Sequence, residues 1–313
     1  MLRVAEDIAG PAAGANARAA WKRYLSGLDG YLKRHLKGQD DALERVARGV
    51  AAAILGMNET SAGPLASFLF LGPTGVGKTQ SAKLFTAYVY GPAQPLEIIF
   101  CNEYPVESKF KDFARKLEQV IRRNPRGTTI LFDEIEKGHE KLRDVYLSLL
   151  DEGLFSAASG ERLSVHNFII TMTSNLGSNE LALMENSLYT TMERQVLEFA
   201  RGALRPELFN RITERIVFRV LGPEVQRSII RELIEKKLQF LSLSLGKVLT
   251  YDSGAVEAFI YRINKKGGQG ARSLKQEVDR QFNRAALPWA ISEAIPPEGK
   301  IYFDSALGHL QLR

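Results

Sequence analysis

The sequence has little of what disulfide-bonded, metal-clustered or membrane-spanning proteins require. It contains one cysteine, Cys101, and 4 scattered histidines, which cannot supply an internal disulfide or a metal-ligand cluster. No apolar run approaches the ~20 residues of a membrane-spanning helix, and the N-terminus lacks a basic start followed by an apolar core. These absences predict a soluble, cytoplasmic protein that is not exported.

Charge of either sign is not concentrated in any one stretch. Lysine and arginine total 42 against 36 for aspartate and glutamate, a net charge of +6, and basic residues alternate with acidic ones, as in Glu214-Arg215. Such alternation is typical of solvated helix faces and gives little support to a nucleic-acid-binding stripe. The 45% hydrophobic content is ample for a buried core.

Apolar runs and helical patterns alternate through the first 220 residues, after a first helix predicted from Trp21 to about Leu36. The runs predict buried parallel strands and read ASFLFL, LEIIFC, TTILFDE, NFIITMT and ERIVFRV. A hairpin is predicted around residues 153–166. Residues 1–18 are interpreted as a flexible leader, 19–220 as a large α/β domain with ligands at the carboxyl ends of its strands, and 221–313 as a smaller, mostly helical domain.

The strongest chemical signal is a glycine-rich segment between the first predicted strand and the helix after it. It reads Gly72-Pro73-Thr74-Gly75-Val76-Gly77-Lys78-Thr79 and satisfies the phosphate-loop pattern G-x-x-x-x-G-K-[ST]. Glycines let backbone N–H groups and the helix N-terminus face phosphates. Lys78 is expected to reach the outer phosphates of ATP, and the Thr79 hydroxyl to take a magnesium position.

Acidic and amide side chains end two later strands. Asp133 and Glu134 close TTILFDE. Asp133 is expected to hold Mg²⁺ through water, and Glu134 to act as the base that polarises the attacking water. The strand NFIITMT is followed by Asn175, whose neutral amide could orient the same water. Asparagine also ends strands for reasons of turn chemistry, an alternative that the residue alone leaves open.

Two arginines complete the candidate site. Arg211 ends the stretch RPELFNR. An arginine at a subunit edge can stabilise the transition-state charge in a neighbour's site and so raise the rate of hydrolysis by roughly 10³ or more. Arg272 starts a predicted helix in the smaller domain and is expected to return over the phosphates of the same nucleotide. Either arginine taken alone is more simply explained as a surface residue.

In this order the motifs resemble those of Clp-type AAA+ ATPases, specifically the second ATPase module of the disaggregating and unfolding members. The resemblance runs from about Leu36 to about Lys275 and is carried by LKGQDDALERVARGV, GPTGVGKT, LFDEIEK, TMTSNLGS, RPELFNRI and GARSLK. It implies a P-loop AAA+ module, with a parallel sheet flanked by helices and a mostly helical lid domain after it. It also implies ATP and Mg²⁺ as cofactors.

The resemblance assigns roles to individual residues as well. Asn175 would be sensor 1, Arg211 the arginine finger that acts on a neighbouring subunit, and Arg272 sensor 2. A hexameric ring follows from the resemblance, because Arg211 would then have a neighbouring site to complete. The residues near adenine would be Leu36, Gly38 and Gln39.

One segment departs from that family pattern. Between the second strand and TTILFDE, Clp unfoldases carry a glycine-flanked aromatic that grips polypeptide in the pore of the ring, and the shorter interval here has no such element. Tyr104 or Phe110 could substitute, although an aromatic in that position more often packs against the following helix. The chain is further expected to hold one ATPase module, without a zinc-binding or substrate-recruiting N-terminal domain.

Three functions remain open at this point. The leading hypothesis is a single-ring, Clp-like ATPase that remodels or assembles a protein partner. The first alternative is an ATP-controlled assembly switch that does not thread a substrate, which the missing grip favours. The second is a DNA-associated motor or loader, supported by the mild positive charge and by Arg122, Arg123 and Arg126 near the candidate pore.

Overall fold

A computed structural model describes residues 15–57, 62–184, 187–246, 248–264, 270–291, 298–304 and 309–312. Contacts within the chain divide it into two compact units, and the division falls between Arg219 and Val220. Each unit has its own hydrophobic core. Within the described ranges, no helix combines the length and the apolar character needed to cross a membrane.

The first unit opens with α1 (Ala15–Ser26), α2 (Leu28–His35) and α3 (Asp40–Ile54). The flexible leader predicted over residues 1–18 is wrong for residues 15–18, which are helical because alanine-rich sequence has high helix propensity. Residues 1–14 of that predicted leader lie outside the described ranges. The single helix predicted from Trp21 to Leu36 is divided at Gly27, where a Cβ would lie 3.0 Å from the Tyr88 hydroxyl.

Strands and helices then alternate along the first unit. The strands are β1 (Ala66–Leu71), β2 (Glu97–Phe100), β3 (Thr129–Asp133), β4 (Leu154–Ser156), β5 (Arg162–Ser164), β6 (Ile169–Ser174) and β7 (Glu214–Val217). The helices are α4 (Lys78–Tyr90), α5 (Phe110–Arg123), α6 (Lys141–Glu152), α7 (Ser178–Leu183), α8 (Tyr189–Ala203) and α9 (Pro206–Arg211). β4 and β5 pair antiparallel, which confirms the predicted hairpin.

Five of these strands form one parallel sheet in the order β2-β3-β6-β1-β7, which confirms the predicted α/β fold class. Every residue of β1 and β6 is buried, as expected of continuous apolar runs covered on both faces. Because β6 lies between β3 and β1, the carboxyl ends of these strands meet at one edge of the sheet. The phosphate loop, the paired acids and Asn175 all follow these strand ends.

Aromatic side chains fasten the helices to this sheet. Phe68 of β1 lies 5.8 Å from Phe85 of α4, measured between ring centroids, and Phe132 of β3 lies 4.9 Å from Tyr146 of α6. These side chains are fully buried, so each contact adds ring geometry to a large apolar area removed from water. The contacts fix α4 and α6 against the strands that precede them.

The second unit combines helices with a small sheet. Its elements are α10 (Pro223–Leu245), β8 (Val248–Tyr251), α11 (Ser253–Asn264), α12 (Ala271–Ala290), β9 (Glu298–Asp304) and β10 (His309–Leu312). The sheet has the order β10-β9-β8, with β8 parallel and β10 antiparallel to β9. Its core joins the helices through Ile234 of α10, Phe259 of α11 and Phe282 of α12.

Candidate functional site

The phosphate loop between β1 and α4 has a backbone that only glycine adopts freely. Positive φ angles occur at Gly72 (133°), Gly75 (77°) and Gly77 (113°). A Cβ on Gly72 would lie 2.3 Å from the Phe218 carbonyl oxygen, and one on Gly77 would lie 2.7 Å from Leu36 Cδ1. The Phe218 backbone cannot yield, so Gly72 is required for space as well as for conformation, whereas at Gly77 it is the positive φ that requires glycine. The loop leads directly into the N-terminus of α4, where unpaired N–H groups attract anions.

Lys78, the first residue of α4, is buried beneath this loop with 7% of its surface exposed. Its ammonium group donates to the carbonyl oxygens of Gly72 and Pro73, and to Oδ1 of Asn175 at 3.0 Å. Burial lowers the pKa of Lys78 to about 8, while the nearby carboxylates, Glu136 foremost, act in the opposite direction. The loop therefore holds a desolvated cation beside backbone N–H groups, which suits a polyphosphate.

The paired acids at the end of β3 are held by one hydroxyl from the neighbouring strand. Thr173 Oγ1 of β6 donates to Oδ1 of Asp133 and accepts the backbone N–H of Glu134 at 3.0 Å. Glu134 has φ 57° and ψ 55°, a left-handed conformation that no other non-glycine residue of the described ranges adopts. The chain thus turns sharply at Glu134, so that both carboxylates follow the same strand end.

The carboxylate of Glu134 is surrounded by three polar side chains. Asn175 Nδ2 donates to Oε1 at 3.1 Å, and Asn102 Nδ2 donates to Oε2 at 3.3 Å. Lys137 Nζ lies 2.9 Å from the same Oε2. Because Asn175 also accepts from Lys78, a single amide connects the phosphate-loop cation to the candidate base.

Sequence reasoning missed Asn102, Lys137 and Thr173. Asn102 follows the end of β2 much as Asn175 follows the end of β6, so the same signal, a polar residue after an apolar run, could have found it. Nothing in the sequence indicates that Lys137 turns back to Glu134, or that the Thr173 hydroxyl bonds to β3. Those contacts depend on side-chain direction in the folded chain.

A third acid, Glu136, completes the cluster. Its Oε1 accepts the backbone N–H of Asn175 at 3.1 Å, and its buried Oε2 has no hydrogen-bond partner among the described residues. Of the carboxylates near Lys78 it has the largest influence on the pKa of that ammonium. Glu136 therefore both fixes the backbone at Asn175 and supplies negative charge beside the phosphate loop.

Gln39, predicted to lie near adenine, uses its side-chain amide inside the protein. It is 2% exposed; Nε2 donates to the carbonyl oxygens of Val76 (3.2 Å) and Arg219 (2.9 Å), and Oε1 accepts the Arg219 N–H (3.0 Å). Leu36 packs against Gly77, and Gly38, which precedes Gln39 in the chain, has a φ of 78°. Leu36 and Gln39 therefore contact the phosphate loop at Gly77 and Val76. The contact of Leu36, Gly38 and Gln39 with adenine stays a prediction.

We expect Gln39→Ala to destabilise the first unit by about 2 kcal/mol, because it leaves buried backbone groups at Val76 and Arg219 without partners. The measurement is the first unfolding transition in a denaturant titration without nucleotide. Gln119→Ala, at an exposed position of α5, is the matched control and should unfold with the wild type. Equal stability of all three proteins would show that the Gln39 bonds contribute nothing.

The two predicted arginines belong to different units, Arg211 to the first and Arg272 to the second. Arg211, at the end of α9, is 53% exposed and its Nε lies 3.1 Å from Oδ1 of Asp151 at the end of α6. Arg272 is exposed in the first turn of α12, in the second unit. Their contacts with phosphate stay predictions.

The donors for a divalent ion are sparse but chemically suitable. Thr79 follows Lys78 on α4, and Asp133 ends β3. No group of three or more histidine, cysteine, aspartate or glutamate side chains that could enclose a metal occurs in the described part of the chain. A hydroxyl and a carboxylate are hard oxygen donors that fit Mg²⁺, which commonly completes its shell with phosphate oxygens and water.

The segment between β2 and α5, where the resemblance predicts a pore loop, is packed against the protein at Tyr104. The ring of Tyr104 is buried and lies 5.4 Å from that of Phe113 of α5 in an edge-to-face arrangement. Phe110 is half-buried at the start of α5, with its ring 6.4 Å from that of Phe113. Tyr104 therefore fastens this segment to the helix that follows.

A parallel sheet of this order, with a phosphate loop after β1 and paired acids after β3, defines a P-loop ATPase fold. Residues 63–215 match the family model described as AAA domain (Cdc48 subfamily). The chain carries a Clp-type AAA+ ATPase domain, as its similarity to several chaperones indicates.

Three such relatives illustrate the similarity. Heat shock protein 100 of Trypanosoma brucei brucei is 34% identical over 291 residues, which are 88% of this chain and 33% of that protein. Chaperone protein ClpB 1 of Thermosynechococcus vestitus is 33% identical over 269 residues, 82% of this chain and 30% of that protein. Chaperone protein ClpB4, mitochondrial, of Arabidopsis thaliana is 31% identical over 287 residues, 85% of this chain and 29% of that protein. The chain spans about a third of the length of these relatives.

Proposed function

We propose that this chain hydrolyses ATP at the cluster of Lys78, Glu134 and Asn175, and uses the cycle to remodel or assemble a protein partner as a ring-shaped oligomer. The observation that carries the proposal is the position of Asn175, whose side chain bonds to Lys78 and to Glu134 at once. A phosphate-binding cation and a water-activating carboxylate thus lie one amide apart. Phosphoryl transfer depends mainly on such positioning and on charge stabilisation.

Each residue of the cluster has a distinct part in this proposal. Lys78 and the loop N–H groups bind the β- and γ-phosphates. Glu134 accepts a proton from the attacking water, and Asn175 orients that water. Asn102 and Lys137 hold the carboxylate of Glu134 in place through its second oxygen.

The remaining contacts to the nucleotide are proposed from the same edge of the sheet. Thr79 and Asp133 would hold Mg²⁺, which when bound neutralises charge on the phosphates. Leu36 and Gly38 would lie near adenine, while Gln39 acts indirectly by holding the Val76 carbonyl. Arg272 of the second unit would contact the phosphates of the nucleotide bound to its own chain.

We propose that the chain forms a ring, a hexamer, and the exposure of Arg211 supports this proposal. Among the described residues its side chain pairs with Asp151 at the surface, so the guanidinium can exchange that partner for the γ-phosphate in a neighbouring subunit at little cost. An arginine supplied in this way stabilises the transition-state charge and is worth roughly 10³ or more in rate.

Subunit mixing tests this shared site. Arg211→Ala alone should lose ATPase activity by about 10³-fold, because the neighbouring transition state loses its cation. Lys78→Ala alone should also be inactive, but its intact Arg211 can complete the site of an Arg211→Ala neighbour. We therefore expect the mixture to hydrolyse ATP when neither protein does so alone, as measured by phosphate release against mixing ratio.

The control separates the finger role from the ion pair within the chain. Asp151→Asn breaks the same pair while leaving Arg211 in place, so it should retain ATPase activity. If mixed subunits never complement, or if Asp151→Asn is as inactive as Arg211→Ala, the assignment of Arg211 to a neighbour's site is wrong.

An ATP-controlled assembly switch is the second candidate function, and the packing of Tyr104 against Phe113 favours it. A buried tyrosine cannot grip a polypeptide while it fastens the segment to α5. In this function ATP binding drives oligomerisation, and hydrolysis resets it. Rings that form with ATP and retain a folded partner without unfolding it would support the switch over threading.

A nucleic-acid motor gains no comparable support. Arg122 bonds to Glu118 and Glu161, and Arg123 bonds to Glu97, so carboxylates already pair two of the three arginines proposed to line a pore.

We propose that the protein works in a reducing compartment such as the cytoplasm. The state of Cys101 supports this: its buried thiol is hydrogen-bonded with the Tyr146 hydroxyl, and desolvation raises its pKa to about 12, which keeps it in the thiol form.

A further inference from the structure

The backbone of Glu134 requires an external support. A φ of 57° is unfavourable for a residue with a side chain, and within the described ranges every other positive φ belongs to glycine. An asparagine or a glycine would adopt this conformation more readily, yet the position needs a carboxylate. The support must therefore come from contacts that fix the peptide before Ile135.

That support comes from Thr173. The hydroxyl accepts the N–H of Glu134 at 3.0 Å and donates its own hydrogen to Oδ1 of Asp133. The strand register pairs Phe132 with Met172, so Asp133 and Thr173 follow side by side on adjacent strands. Thr173 is 1% exposed, and its hydroxyl bonds are shielded from competition with water.

The direction of these bonds matters. The N–H of Glu134 can only donate, so the lone pairs of the Thr173 hydroxyl face it, and the one hydrogen of that hydroxyl is left for Oδ1 of Asp133. One group thus fixes the carboxylate of the first acid and the main chain of the second. A methyl group in its place could do neither.

We infer that Thr173 is a positioning residue for ATP hydrolysis, whose hydroxyl aligns Asp133 and Glu134 across two strands. The inference rests on the proposed roles of these acids. Thr173 is not expected to contact the nucleotide, so its loss should affect turnover far more than binding. A misplacement of catalytic groups by about 1 Å can cost about 10²-fold in rate.

The same strand supplies a matched control. Thr171 lies two residues earlier on the same face of β6 and is equally buried, but its hydroxyl has no hydrogen-bond partner in the described part of the protein. Thr171→Val and Thr173→Val therefore make the same chemical change in the same strand. Only the second removes bonds to the acids.

The experiment compares full-length Thr173→Val, Thr173→Ser, Thr171→Val and wild type. Steady-state ATP hydrolysis gives kcat and KM, and a fluorescent ATP analogue without Mg²⁺ gives nucleotide affinity apart from turnover. We expect Thr173→Val to lower kcat by about 10²-fold, with affinity within about threefold of wild type. Thr173→Ser keeps the hydroxyl and should recover most of kcat, and Thr171→Val should equal the wild type.

Wild-type kcat in Thr173→Val, or equal losses of kcat in Thr173→Ser and Thr173→Val, would overturn the inference. If Thr173→Val does not fold, Thr173→Ser against Thr173→Ala makes the same comparison, since the two differ only by the hydroxyl oxygen. Glu134→Gln distinguishes the two levels of the proposal. An inactive Glu134→Gln beside a fully active Thr173→Val refutes the positioning role alone, whereas a fully active Glu134→Gln refutes the proposed hydrolytic site.

Discussion

Glu134→Gln is expected to lower kcat for ATP hydrolysis by about 10²- to 10⁴-fold, the contribution of a positioned general base. Glutamine has the shape of glutamate and its oxygen can still accept the Nδ2–H of Asn175, but its amide cannot take a proton from water. Nucleotide affinity should change little, because Lys78 and the phosphate loop are untouched. Phosphate release under saturating ATP and equilibrium binding of ATP are the two measurements.

Glu103→Gln makes the same chemical change at an exposed position one residue after Asn102, and it should retain wild-type turnover. The slow Glu134→Gln protein should also remain in its ATP-bound assembly. Affinity capture of that assembly with ATP is then the most direct route to the protein partner. Wild-type turnover in Glu134→Gln would exclude Glu134 as the base.

Lys78→Met is expected to weaken ATP binding by about 10²-fold and to abolish detectable hydrolysis, because charge-assisted contacts to phosphate are lost from a desolvated site. Methionine has a similar length and can fill the buried volume. Removing the ammonium relieves the desolvation that lowers its pKa to about 8, and this gain offsets the loss of its hydrogen bonds to the carbonyl oxygens of Gly72 and Pro73. Thermal unfolding without nucleotide should therefore resemble that of the wild type.

Lys83→Met is the control on the same helix, at an exposed position of α4, and it should bind and hydrolyse ATP normally. A second diagnostic is the effect of ATP on thermal stability. ATP should raise the unfolding temperature of the wild type and of Lys83→Met, but not that of Lys78→Met. Undiminished ATP binding by Lys78→Met would contradict the assignment of the phosphate loop.

The sheet could be predicted because its strands are short apolar runs that end in glycine or in polar residues. In β1 and β6 every side chain is buried, so these strands appear in the sequence as continuous apolar runs instead of alternating apolar and polar residues. Asn175 was identified from its place after β6, and the structure brings its side chain to Lys78 and Glu134. Position at a strand end carried this information, because parallel strands direct their carboxyl ends to one edge.

The contacts that complete the cluster could not be predicted in the same way. Thr173 lies inside an apolar strand, where threonine is usually read as a strand former with no further role. Lys137 and Glu136 follow Glu134 in a sequence of alternating charge, and the fold alone decides which of them turns toward the site. The start of α1 was missed for another reason, since an alanine- and glycine-rich stretch fits a leader and a helix equally well.

The side chain of Gln39 holds two distant segments of the first unit together. One planar amide joins the Val76 carbonyl, which belongs to the nucleotide loop, to both backbone groups of Arg219, the last residue before the second unit begins. Because both sets of bonds belong to one rigid amide, the peptides of Val76 and Arg219 cannot move apart without breaking a buried hydrogen bond of Gln39.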